Sequence, residues 1–246
     1  MNTRIFASTI TAATLFTSSA QAGFHLMQIE QVIGGVNGNN TAQAIQLRTR
    51  AGSQNFLSST RITAWDASGL NPVLLFDFGA TYSPAADNGD SILLSSTAFN
   101  VGMLTTVPSY SPDFTLTNVI PASYLSGGKI TFGNDANTSF YWSFAFGAYT
   151  GANTGTTDND TNGNFGSPFA SALPTASLQG VRFTGASSAL STTNVADYAL
   201  TANPATVKNA NSVSFTVVPE PGSLAFVALG SIALAGSIFG RRRRFR

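Results

Sequence analysis

The chain has 246 residues, 43% of them hydrophobic, which suits one β domain flanked by short segments, and a formal net charge of +1. That charge sums unlike parts: Arg4 and five tail arginines are basic, whereas residues 23–218 hold six basic and ten acidic side chains, a net −4. A mildly acidic central region argues against nucleic-acid capture, which needs clustered Lys and Arg, and the lack of cysteine excludes disulfides and thiolate chemistry. Charged residues make up only 9%, against about a quarter in ordinary soluble domains. Asn, Ser, Thr and Gly take their place, as on secreted β proteins, and 19 Phe supply a core.

Residues 1–22 carry Arg4, an apolar and small-residue run over 5–16, and Ala20-Gln21-Ala22. This is the n-region, h-region and A-x-A pattern of a secretory signal peptide. Passage through the secretion translocon and cleavage by signal peptidase leave Gly23 as the first mature residue.

Short alternating runs follow. Residues 25–33 form a first strand candidate, ended by Gly34-Gly35, and Asn37-Gly38-Asn39-Asn40 reads as a hairpin loop. In 42–49, Ile45 and Leu47 face one side while Gln46 and Arg48 face the other. Runs 60–66 and 72–78 form the next pair, and in the second Leu74, Phe76 and Phe78 alternate with Leu75 and Asp77. Further strands are expected at 91–95, 113–120, 129–132 and 138–146. The last sets Phe140, Trp142, Phe144 and Phe146 on one face with Tyr141 opposite, the pattern of a central core strand.

A long loop rich in Gly, Asn, Thr and Asp spans 147–174. Strands at 178–184 and 212–218 close the domain, and 194–200 reads as a strand or a short helical turn. There is no repeat of fixed period and no amphipathic helix of ordinary length between 23 and 218. About ten short strands with regular turn signals predict an all-β antiparallel sandwich over residues 23–217.

The chemistry is sparse. The single histidine, His25, lies two residues after the mature N-terminus, where a triad base lacks a fixed position. One His and no Cys argue strongly against a structural or catalytic zinc site. A carboxylate pair for hydrolysis requires the fold to unite two of Glu30, Asp66 and Asp77; Glu30 and Asp77 are expected as solvent-facing or edge residues. A non-enzyme is the expectation. Asp158-Asn159-Asp160-Thr161-Asn162-Gly163 matches the opening of a calcium loop, with Asp158, Asp160 and Asn162 as oxygen donors and Gly163 at the sharp turn. Position 12 is Phe169 rather than a bidentate Glu, so a polar surface loop stands beside the structural-calcium reading. Among Tyr141, Trp142 and Tyr149, Trp142 belongs to the apolar face, and an exposed Tyr149 is the carbohydrate-stacking candidate.

The C-terminal segment, 218–246, is built differently. Pro219 and Pro221 hold the chain extended, and Ser223 offers a helix N-cap. Residues 223–240 carry no charge, and 18 helical residues reach about 27 Å, enough for a bilayer core. The basic cluster 241–246, led by Arg241, Arg242, Arg243 and Arg244, stays on the cytoplasmic side and places everything upstream across the membrane.

Pro219-Glu220-Pro221, the short apolar helix and the arginines together resemble the PEP-CTERM sorting signal of Gram-negative bacteria. The resemblance implies recognition by an exosortase, a membrane-embedded cysteine transpeptidase or protease, cutting near Pro219-Glu220-Pro221. It also implies delivery to the envelope or beyond, with exopolysaccharide and biofilm as the surroundings. The opening run, residues 27–32 followed by Ile45-Gln46-Leu47, resembles bacterial lamin-tail-like sandwiches and so points to an immunoglobulin-like arrangement. The usual acidic residue before that triplet is missing, since Gln43-Ala44 stands there. Three functions are compatible with these readings: an exported matrix or envelope protein, a glycan- or surface-ligand-binding module using the 147–174 loop, and a secreted carboxylate hydrolase.

Overall fold

A computed structural model of the chain describes residues 26–54, 56–79, 87–153, 165–189 and 191–219. The signal segment 1–22 with Ala20, Ala22 and Gly23, then His25, the calcium candidates Asp158, Asp160 and Asn162, and residues 220–246 lie outside the described residues. Glu220, Pro221, the apolar run and the arginines belong to that last segment. Among the described residues no helix is long and apolar enough to cross a membrane.

The elements are β1 (Met27–Ile33), β2 (Ala44–Thr49), β3 (Thr60–Trp65), β4 (Val73–Asp77), β5 (Ser91–Ser95), α1 (Thr97–Thr106), β6 (Phe114–Thr115), β7 (Gly127–Asn134), β8 (Phe140–Gly147), β9 (Val181–Phe183), α2 (Asn194–Asp197), β10 (Tyr198–Leu200), β11 (Thr206–Lys208) and β12 (Ser214–Thr216). They form a six-stranded sheet in the order β10-β9-β1-β2-β5-β6, a four-stranded sheet β4-β3-β7-β8, and the hairpin β11-β12. The fold is mostly β and sandwich-like.

Period-2 alternation decides which face of each strand is buried where. Ile29, Val32, Ile45, Leu47, Ile92 and Leu94 of the larger sheet meet Ile62, Ala64, Ile130, Phe132, Trp142 and Phe144 of the smaller one in the main core. The opposite face of the larger sheet is also covered over part of its width. There Ile33, Ala44 and Leu93 pack against Phe99 and Met103 of α1 and against Val207 and Phe215 of the hairpin. The larger sheet is therefore the middle of three layers.

Three expectations need correction. The antiparallel rule breaks at β6, which runs parallel to β5, pairing Leu94 with Phe114 and Ser95 with Thr115. A parallel neighbour needs a crossover, and α1 supplies it, which shortens the strand expected at 113–120 to two residues.

A helix of ten residues does exist between 23 and 218, namely α1. Ser96 caps it, its Oγ accepting from Phe99 N at 3.1 Å. Its pattern hides because Val101 and Leu104 are apolar on the exposed side, while Phe99, Gly102 and Met103 are buried.

The strand β8 carries core aromatics as expected but sits at the end of its sheet. A bulge at Tyr141 shifts the alternation, so Tyr141 joins Trp142, Phe144 and Phe146 in the core while Phe140 leaves it. With its amide turned to suit its neighbours, Asn194 caps the free edge, donating to Ser143 O at 3.1 Å and accepting from Ala145 N at 2.9 Å.

Candidate functional site

Glu30 enters the structure through a β-bulge. Ile29 pairs with Leu47 and Gln31 with Gln46, so Glu30 is the extra residue, and both Glu30 and Gln31 face away from the main core. Glu30 is neither solvent-facing nor at an edge: β1 is interior to its sheet and the side chain is buried. Its Oε1 accepts from Arg182 Nη2 at 2.6 Å, with Arg48 Nη1 at 3.5 Å. Its Oε2 accepts from Gln46 Nε2 at 2.5 Å and Ser91 Oγ at 3.5 Å. The side-chain oxygen of Gln46, Oε1, in turn accepts from Lys208 N at 2.7 Å, tying the hairpin to the sheet. Both carboxylate oxygens are occupied by donors, so the buried side chain leaves no lone pair unsatisfied for want of a partner. Beside it, neither amide atom of the buried Gln31 has a partner among the described residues.

Lys129 occupies the outer face of the smaller sheet. Its Nζ donates to Ala152 O at 3.0 Å and lies 5.2 Å from the rings of Trp65 and Phe140 and 5.5 Å from that of Tyr149. Three ring faces attract the ammonium electrostatically, while burial pushes its pKa down to about 8. Phe140 is free to join this cage because of the Tyr141 bulge.

Tyr149, expected as an exposed stacking platform, is buried instead. Its hydroxyl donates to Ala152 O at 2.8 Å, and burial raises its pKa to about 12. It forms one wall of the lysine cage, and the sugar-stacking expectation fails on it. Trp142 is fully buried as expected: its Nε1 donates to Tyr198 Oη at 2.8 Å, and Tyr198 donates onward to Ile29 O at 2.6 Å.

The three carboxylates considered for hydrolysis, Glu30, Asp66 and Asp77, do not converge. Asp66 closes the turn after β3, accepting from Ser68 Oγ, Ser68 N, Leu70 N and Asn71 Nδ2 at 2.6–3.0 Å. The Ser68 and Asn71 bonds hold its pKa down at about 2. Asp77, on the edge strand β4 as expected, pairs with Arg61 at 3.3 Å. Arg61 stands opposite Asp77 near the start of β3, so about 16 Å of strand separates it from Asp66. Glu30 lies on the other sheet.

The C-terminal exit is well defined. Val217 is buried and donates its N–H to Ala205 O at 2.9 Å, and Val218 and Pro219 are half-buried. Among the processing candidates only Pro219 is a described residue. It follows the last element, β12, by three positions.

A family model of the PEP-CTERM protein-sorting motif matches residues 217–244. The match begins at Val217, which makes the last backbone bond of the outer layer among the described residues. The chain thus carries a PEP-CTERM signal, which implies sorting by an exosortase, export, and transient membrane anchoring by the C-terminus. No curated protein and no solved structure matches the chain.

Proposed function

We propose that this is an exported, non-enzymatic protein of the cell envelope or extracellular matrix, in which an immunoglobulin-like sandwich is delivered by an exosortase and then works among exopolysaccharide. The sorting motif at residues 217–244, appended directly to a strand locked into the outer layer, carries this reading. A cut near Pro219-Glu220-Pro221 would remove only chain that follows the last backbone bond of the hairpin. The domain would leave the membrane with its cores closed. The separation of Asp66, Asp77 and Glu30 removes the carboxylate pairings weighed among these three residues for hydrolysis, which needs two such groups within one site.

Intact-mass measurement of the protein from native cells and from culture medium tests this. The expected species begins at Gly23 and ends near residues 219–221, with or without an added moiety. Recovery solely of a membrane-bound form that retains Arg241–Arg246 would refute it.

A further inference from the structure

The outer layer presents a surface that sorting alone does not use. The helix α1 has no charged residue from Thr97 to Thr106. On its solvent side Val101 is 61% and Leu104 46% exposed, three positions apart and hence on one face. Thr97 and Thr105 flank them, also exposed and uncharged. On the buried side the outgoing chain runs along the helix, because Val217 and Val218 line a shallow apolar groove with Val36, Ala98, Phe99 and Gly102.

The place where the chain leaves this groove identifies the occupant of the exposed face. After Pro219 only three residues intervene before Ser223, where the uncharged 18-residue stretch begins. Fully extended, that link spans at most about 14 Å, little more than one helix diameter. While the tail is membrane-anchored, α1 stands within reach of the headgroup layer.

Resting on the sorting reading of the tail, we propose that α1 lies on the outer surface of the inner membrane before processing, with Val101 and Leu104 at the boundary of headgroups and acyl chains. Two aliphatic side chains bind a bilayer too weakly to hold a free protein. Tethered, they act at an effective concentration on the order of millimolar, and the contact forms. Cleavage removes the tether, and the same contact then lets go. The device fixes the height of Pro219-Glu220-Pro221 above the membrane and is reversible by design of its weakness.

The full chain has no cysteine, so Val101→Cys and, as a distant control, Leu70→Cys each give one attachment point for an environment-sensitive dye. Leu70 is 64% exposed in the turn between β3 and β4, on the smaller sheet. The full chain reconstituted in phosphatidylcholine–phosphatidylglycerol vesicles with spin-labelled lipid is expected to show quenching at residue 101 several-fold above that at 70. Adding Leu104→Asp should reduce the quenching at 101 several-fold. Equal quenching at both sites in a chain that floats with the vesicles overturns the inference alone. A chain that does not float overturns the tail reading as well.

Discussion

Glu30 and Lys129 are buried almost equally, 2% and 5% exposed, on the outward faces of opposite sheets, yet they are neutralised by different means. The carboxylate has dedicated donors: two arginines, Gln46 and Ser91. The ammonium has three rings and one backbone carbonyl, and among the described residues no carboxylate pairs with it. Paired charges form a network whose members depend on each other, so removing one strands the rest. A cation held mainly by rings leaves nothing stranded when it goes. The two sites should therefore answer mutation very unequally.

The largest effect is expected at Glu30. Glu30→Ala leaves Arg48 and Arg182 without their anion and takes from Gln46 Nε2 the shorter of its two bonds, leaving only Ser91 Oγ at 3.3 Å. Denaturant unfolding should show a loss of about 3 kcal/mol, and a loss under about 1 kcal/mol would break the comparison. Gln46→Ala removes one donor to Glu30 and the acceptor of Lys208 N. It should cost about 2 kcal/mol by the same measurement.

Lys129→Met keeps the volume and the apolar contacts with Trp65, Phe140 and Tyr149. It should lie within about 1 kcal/mol of the parent at neutral pH. Its signature is in pH dependence. The folded-state pKa of Lys129 lies below its ordinary value, so between about pH 8 and pH 10 the unfolded chain binds more protons. Stability of the parent should rise with pH across that window, and Lys129→Met should flatten the rise. Above pH 10 the sign reverses, because Tyr149 keeps its proton up to about 12 in the folded state while unfolded tyrosine gives it up first. A small effect of the opposite sign is expected at Gln31, whose buried amide has no partner among the described residues. Gln31→Leu should stabilise the fold by about 1 kcal/mol, measured as an upward shift of the melting temperature.

Much of the sandwich was legible from alternation. The strand at 91–95 has the bounds expected of it, and Ile45 and Leu47 face the main core opposite Gln46 and Arg48. What failed to show were features that break a period. The bulges at Glu30 and Tyr141 each insert a residue and move Gln31 and Phe140 off the faces that strict alternation assigns. The strand Thr206–Lys208 is three residues long with one buried side chain, too short to carry a pattern. Burial of Tyr149 depends on Lys129 and Gly69, distant in sequence: a Cβ at Gly69, where φ is +76°, would sit 2.6 Å from the tyrosine oxygen. The cage itself left no local signal, since its rings come from β3, β8 and the loop beyond. The sorting segment was the opposite case, legible throughout because its meaning is linear.

The bulge on β1 has a consequence for how the gene product can change length. Excising Glu30 would regularise the ladder and leave Met27, Gln28, Ile29, Gln31, Val32 and Ile33 each on its present side. Excising Gln28 or Val32 would send neighbours across the sheet, swapping oily residues for amides in a closed interior. The strand thus has a single point where an insertion or deletion is silent in phase, yet the residue held there is the carboxylate on which Arg48, Arg182 and Gln46 converge, so phase and charge place opposite demands on the same position.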